Sequence, residues 1–164
     1  MKKTTNSSSI DEKIFIRAIE KRVRKDIRIK KKLGKKKEIK ILDDNSKEFR
    51  VTKDILQSIF GKVKNIIIVK KKSEADLIPT NLDREINKDL KSYLLNKKFE
   101  TKQKIILNNV LEKEIMTYCK IKKLKIGDKE KKNELIELLE KTTPNTKYGL
   151  AKSFDKIRER LKTE

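Results

Sequence analysis

The order of apolar patterns along the chain predicts an α/β fold: a small, largely parallel sheet with a basic helix before it and a helical C-terminal end. Three observations carry this. Glu38-Ile-Lys-Ile-Leu42 alternates as a half-buried strand does, and Ile66-Ile-Ile-Val69 is continuously apolar, as a short buried strand is. A helical pattern lies between these segments, and helical patterns dominate the chain after Asn81. Strands that alternate with helices before a helical end favour a layered α/β arrangement.

Residues 1–8 are small and polar, and are expected to form a disordered lead-in to a single α/β domain spanning 9–164. Ser9-Ile10-Asp11-Glu12 has the form of a capping box, which predicts a helix over 9–30. Its apolar positions Ile14, Phe15, Ala18, Ile19, Val23 and Ile27 recur at helical spacing, while Arg17, Lys21, Arg24, Lys25 and Arg28 occupy much of the opposite face. After the first strand, Asp43-Asp-Asn-Ser46 reads as a turn, with a returning strand near Phe49–Val51 to make a hairpin. Thr52 is then the expected cap of a helix that runs to Phe60 and stops at Gly61. Leu77-Ile78 and Ile105–Leu107 are further strand candidates. Asn81 is expected to cap a helix over 82–96 whose stripe Leu82, Ile86, Leu90, Tyr93 and Leu94 packs. Later helices are expected over 111–124, 129–141 and 150–161.

Charge narrows the function. Between Lys13 and Lys40 stand fourteen Lys or Arg against three acids, so this stretch carries +11 of the chain's formal +21. Such a density of one sign repels itself until a polyanion neutralises it, and nucleic-acid phosphates are the expected partner. The candidate contacts are Arg17, Lys21, Arg24, Lys25 and Arg28 on the helix, and Lys31, Lys32, Lys35 and Lys36 in the connector after it. Lys147 and Lys152, beside a later helix start, form a second group. For both sets the plainer alternative is a solvated helix face, balanced in the second by Asp155 and Glu159, whereas few acids compensate the first. With no Trp, five Phe and three Tyr, the chain is poor in stacking platforms, which favours contact with the backbone over reading of bases.

Other classes are disfavoured. The longest apolar run, Ile66 to Val69, is far short of the roughly 20 residues of a membrane span. Met1 to Asp11 lacks the apolar stretch of a signal peptide, so a cytoplasmic protein without membrane contact is expected. One cysteine and no histidine leave no legible metal site and no internal disulfide. Cys119 reads as a packed thiol, and Tyr93 and Tyr118 read as core residues. The pairs Asp43/Asp44 and Asp83/Glu85 read as a polar turn and as dipole-complementing acids of a helix start, not as acid–base machinery.

Four segments taken in order resemble the PP-loop ATPases that thiolate tRNA uridines, the cytosolic 2-thiouridine synthetases. Phe15-Ile-Arg-Ala-Ile-Glu-Lys-Arg-Val-Arg-Lys-Asp-Ile-Arg28 is similar to the family's basic helix before its first strand. Ile78-Pro-Thr-Asn-Leu-Asp83 resembles the segment Gly-His-Asn-Leu-Asp-Asp. Glu112-Lys-Glu-Ile-Met-Thr-Tyr-Cys119 resembles the helix Glu-Lys-Glu-hydrophobic-x-x-Tyr-Ala. Pro144-Asn-Thr-Lys-Tyr-Gly-Leu-Ala-Lys-Ser-Phe-Asp-Lys-Ile157 resembles the ending Pro-Gly-Thr-Lys followed by Ser-Phe-Glu-Lys. Together they cover about half of the chain. The resemblance implies a reduced PP-loop (HUP-like) sheet, tRNA as the polyanion, and a catalytic PP-loop thiolation subunit as partner.

The departures bear on chemistry. Where the family has a Ser-Gly-Gly-x-Asp-Ser loop to cradle phosphate, this chain has Asp43-Asp-Asn-Ser-Lys-Glu48, with two acids and no glycine. Thr80 replaces the histidine of the second motif and Arg84 its second aspartate, and the catalytic and zinc-binding cysteines have no counterparts. The sequence therefore predicts a degenerate, non-catalytic tRNA-binding subunit or paralog of the wobble-uridine 2-thiolation machinery, with no cofactor. The alternative is a general RNA-binding or ribosome-associated basic protein. A residual nucleotide-dependent enzyme ranks last.

Overall fold

The computed structural model describes residues 5–30, 32–99, 105–127 and 133–161. Its elements are α1 (Thr5–Ile29), β1 (Glu38–Leu42), α2 (Lys47–Phe60), β2 (Asn65–Val69), α3 (Leu82–Leu94), α4 (Glu112–Lys122), α5 (Glu134–Thr142) and α6 (Thr146–Arg160), with a single turn of 3-10 helix at Lys72–Glu74. β1 and β2 pair in parallel from Glu38↔Asn65 to Leu42↔Val69, joined through α2. Both remaining strand candidates are reduced to isolated parallel bridges, Ile41↔Leu77 and Asn81↔Leu107. The first lies on the other edge of β1, where Leu42 N–H donates to Leu77 O at 3.1 Å and Leu77 N–H donates to Lys40 O at 3.0 Å.

Side-chain pattern explains how these elements pack. Ile39 and Ile41 are buried while Glu38 and Lys40 are exposed, as alternation along a pleated strand requires. Against them lie Ile19, Val23 and Ile27 of α1, Val51, Ile55 and Leu56 of α2, and Ile115 and Tyr118 of α4. A second core joins Leu82 and Ile86 of α3, Leu111, Ile136 of α5 and Phe154 of α6. Arg158 of α6 and Asp89 of α3, both buried, form an ion pair beside that second core.

The expected hairpin does not form: Phe49–Val51 belongs to α2. Ser46, read as the end of a turn, is instead the N-cap, its hydroxyl accepting the N–H of Phe49 at 3.0 Å and donating to Asp44 at 2.6 Å. Helix wins because Val51, Ile55 and Leu56 recur at helical spacing and are fully buried, a burial that a three-residue strand cannot offer. Thr52 consequently sits one turn inside the helix rather than at its start. Replacing Ser46 with alanine is expected to cost about 1 kcal/mol, read as an earlier midpoint in urea with an unchanged slope.

Other boundaries shift less. α1 begins at Thr5, ahead of the expected start at Ser9, and residues 1–4 lie outside the described residues. Asn81 caps α3 as expected, accepting the Arg84 N–H at 2.9 Å, but the helix ends at Leu94. Tyr93, expected in the core, is 58% exposed, although its ring stands 6.3 Å from that of Phe154.

Candidate nucleic-acid interface

Burial of Ile19, Val23 and Ile27 fixes the roll of α1 and leaves Arg17, Lys21, Arg24, Lys25 and Arg28 exposed. Arg17, Lys21, Arg24 and Arg28 follow at steps of four, three and four residues, which places them in one stripe along about 16 Å of helix. Arg22 lies off the stripe and turns inward. Its guanidinium donates to Glu114 at 2.6 Å, the Tyr148 hydroxyl at 3.1 Å and the Asn109 carbonyl at 3.3 Å, tying α1 to α4 and α6. Glu114 also accepts the Leu111 N–H at 2.9 Å, so one carboxylate both closes the start of α4 and anchors Arg22.

The connector is less uniform than its composition implies. Lys32 is largely buried, with its ammonium bonded to Asp26, the Ile105 carbonyl and, at 3.0 Å, Asn108. Lys36 pairs with Asp76 while remaining more than half exposed, and Lys35 is exposed. Lys31 lies outside the described residues. The late pair divides as well. Lys152 is exposed, whereas Lys147 is 8% exposed and held by Asp83 at 2.6 Å and by Glu137. Burial alone would depress the Lys147 ammonium, but its bonds to the two carboxylates outweigh this and raise its pKa. Lys147 and Lys32 are therefore internal ties, not surface cations.

A buried polar cluster stands beyond the C-terminal end of β1. The connection from Leu42 closes on itself: Asp43 accepts the Asn45 N–H at 3.0 Å and Asp44 the Ser46 N–H at 3.1 Å. Asn45 supplies the left-handed residue at φ 59°, and Arg50 clamps its carbonyl at 2.9 Å. The next two side chains point inward. The Lys47 ammonium lies 2.9 Å from Glu112 and 3.4 Å from Glu48, with Lys47 only 2% exposed and Glu48 fully buried. Asn81 donates to Glu48 at 2.8 Å and to Glu112 at 2.6 Å, and Arg84 approaches Glu48 to 3.5 Å. Burial pushes the Glu112 carboxyl above the ordinary carboxylate range, although the Lys47 ammonium opposes the shift.

The N–H groups of Asn45, Ser46 and Phe49 and the Lys47 ammonium at this end of the sheet are thus held by the chain's own side chains. Sequence reading gave Asn81 only a capping role and passed over Lys47 and Glu48. A signal for Glu48 was present once α2 starts at Lys47, because Glu48, Val51, Thr52 and Ile55 fall on one helical stripe.

Among the described residues no group of three or more His, Cys, Asp or Glu is placed to hold a metal ion. Cys119 is buried, and burial, with Glu48 adding to it, pushes its thiol up to about 11. A thiol reagent at pH 7 is therefore expected to react with Cys119 only as the chain unfolds, with modification tracking the unfolding curve measured by circular dichroism. No helix among the described residues is long and apolar enough to cross a membrane.

This architecture is of the open α/β class: a parallel pair joined through a helix, with polar residues gathered where the first strand ends. Among solved structures, it is similar to the U34-tRNA thiolase NcsA from Methanococcus maripaludis with its [4Fe-4S] cluster, at a TM-score of 0.67 over 90% of this chain and 80% of that one, with 15% identity. The likeness is one of fold. No family model matches the sequence, and no curated protein matches it either. Iron–sulfur clusters are generally held by several cysteine thiolates, and the residues present do not fit one, because this chain offers one cysteine, buried, and no histidine.

Proposed function

We propose that this protein is a non-catalytic tRNA-binding member of the wobble-uridine 2-thiolation machinery. It docks tRNA on the outer stripe of α1, with Lys35, Lys36 and Lys152 as further surface contacts, and leaves adenylation and sulfur transfer to a catalytic PP-loop partner. The observation that carries this reading is a contrast within one fold. The chain shares the thiolase fold over nine-tenths of its length, yet the connection from β1 to α2 has no glycine, and the N–H groups of Asn45, Ser46 and Phe49 are bonded to Asp43, Asp44 and Ser46. A phosphate loop works by presenting free N–H groups to the anion. A surface stripe of unburied cations, by contrast, suits phosphate backbone contact without chemistry.

The full-length chain is expected to bind tRNA with steep salt dependence and to release no pyrophosphate from ATP in the presence of tRNA. Pyrophosphate release that depends on tRNA would overturn the non-catalytic assignment. Equal affinity for a ribosomal RNA fragment of the same length would point instead to a general RNA-binding protein.

A further inference from the structure

Among the described residues, β2 is an edge strand with one side unpaired. In a parallel ladder the two main-chain polar groups of a residue point the same way, and successive residues alternate. Asn65 N–H donates to Lys37 O at 2.8 Å and Val69 O accepts from Asp43 N–H at 2.8 Å, so Asn65, Ile67 and Val69 address β1. Ile66 and Ile68 therefore direct their N–H and carbonyl groups away from the sheet, and among the described residues no strand pairs with them. The Ile68 side chain is 42% exposed. Unpaired edge groups beside apolar side chains form a template for another strand.

Charge selects the occupant. Lys62 and Lys64 precede the strand and Lys70, Lys71 and Lys72 follow it; Lys62, Lys70 and Lys72 are exposed, Lys71 is exposed and lies 3.7 Å from Glu74, and Lys64 is half-buried with its ammonium on the Lys36 carbonyl. A second copy is a poor occupant. Antiparallel pairing of Ile66 with Ile68 of another copy sets Lys64 opposite Lys70 and Lys62 opposite Lys72, and like charges directly opposed across strands are destabilising. The same bracket favours a chain with acids at both ends of a short apolar centre.

We propose that the free edge of β2 receives, as an added strand, an extended segment of a partner protein that is apolar at its centre and acidic on both flanks. Main-chain bonds to Ile66 and Ile68 supply affinity, and the flanking lysines supply selection, in the manner of other strand-addition sites.

A fluorescent peptide of five alternating threonine and valine residues between two triplets of glutamate serves as the probe against the full-length chain. Binding is expected to slow amide exchange at Ile66 and Ile68 by about tenfold or more. Ile68→Pro removes an outward N–H without touching the β1 ladder, so it is expected to weaken the peptide by about tenfold while far-UV circular dichroism is unchanged. Failure of the peptide to bind, or equal binding of a polyglutamate peptide of the same length, overturns the proposal. So does binding that leaves exchange at both amides unchanged in the unsubstituted chain, a measurement that stands whether or not the proline variant folds. Sedimentation that shows a dimer broken by Ile68→Pro would assign the edge to a second copy instead.

Discussion

Replacing Lys47 with methionine is expected to destabilise the protein by about 3–5 kcal/mol, the cost of leaving a buried carboxylate without its counter-charge. Lys47 lies 2.9 Å from Glu112 and 3.4 Å from the fully buried Glu48, and Arg84, as near to Glu48 at 3.5 Å, leaves one cation for two carboxylates when Lys47 is lost. For a chain of this size each kcal/mol lowers Tm by about 2–4 °C, so the loss is visible in a thermal scan. Adding Glu48→Gln to Lys47→Met removes the orphaned charge, keeps an oxygen for the Asn81 amide, and is expected to recover a large part of the loss. A single variant that costs under about 1 kcal/mol would show that Lys47 is not the charge that compensates this cluster.

Changing Arg17, Lys21, Arg24, Lys25 and Arg28 together to glutamine is expected to flatten the slope of log affinity for tRNA against log salt by up to about 4.5, since each phosphate contact on duplex contributes about 0.9. The substitutions lie on exposed positions outside both cores, so the thermal transition is expected to move little. Lys147→Gln provides the opposite control. Its ammonium holds Asp83 and Glu137 inside the fold, so that change is expected to lower stability and leave the salt slope intact. Unchanged affinity and slope in the five-residue variant would remove α1 as the docking face.

These two experiments separate cations that look alike in sequence. Arg22 and Arg24 are both arginines of one helix, yet Arg22 ties α1 to Glu114 and Tyr148 while Arg24 faces solvent. Periodicity alone placed the C-terminal half of α1's packing face correctly, because Ile19, Val23 and Ile27 are large, apolar and regularly spaced, whereas Ile14 and Ala18, expected on the same face, are exposed. It could not show which flanking cations meet an acid from a distant element. Asp76, thirty-six residues beyond Lys40, accepts that residue's N–H at 3.0 Å and also takes the Lys36 ammonium. The β1–α2 turn failed for a different reason: Asp-Asp-Asn-Ser suits a hairpin and a helix start equally well, and only burial of Val51 and Ile55 decides between them.

What the amino-acid sequence determined by itself was local and periodic: the alternation of β1, the apolar run of β2, the Asn81 cap, the stripe of α1 and the lack of a glycine-rich phosphate loop. Each of these depends on residues within a turn or two of one another, where backbone geometry converts spacing directly into position. Tertiary structure alone decided that Lys47, Glu48, Asn81 and Glu112 meet, that Lys32 and Lys147 are withdrawn from the surface, and that among the described residues β2 keeps one edge unpaired. Those outcomes arise from groups of separate segments brought together by packing, such as Asn81 with Glu48 and Glu112, Lys32 with the Ile105 carbonyl and Lys147 with Asp83, and from strands whose partners the described residues do or do not supply. A buried ion is stable only where its counter-charge arrives, and that arrival is set by the packing of the two cores rather than by neighbours along the chain.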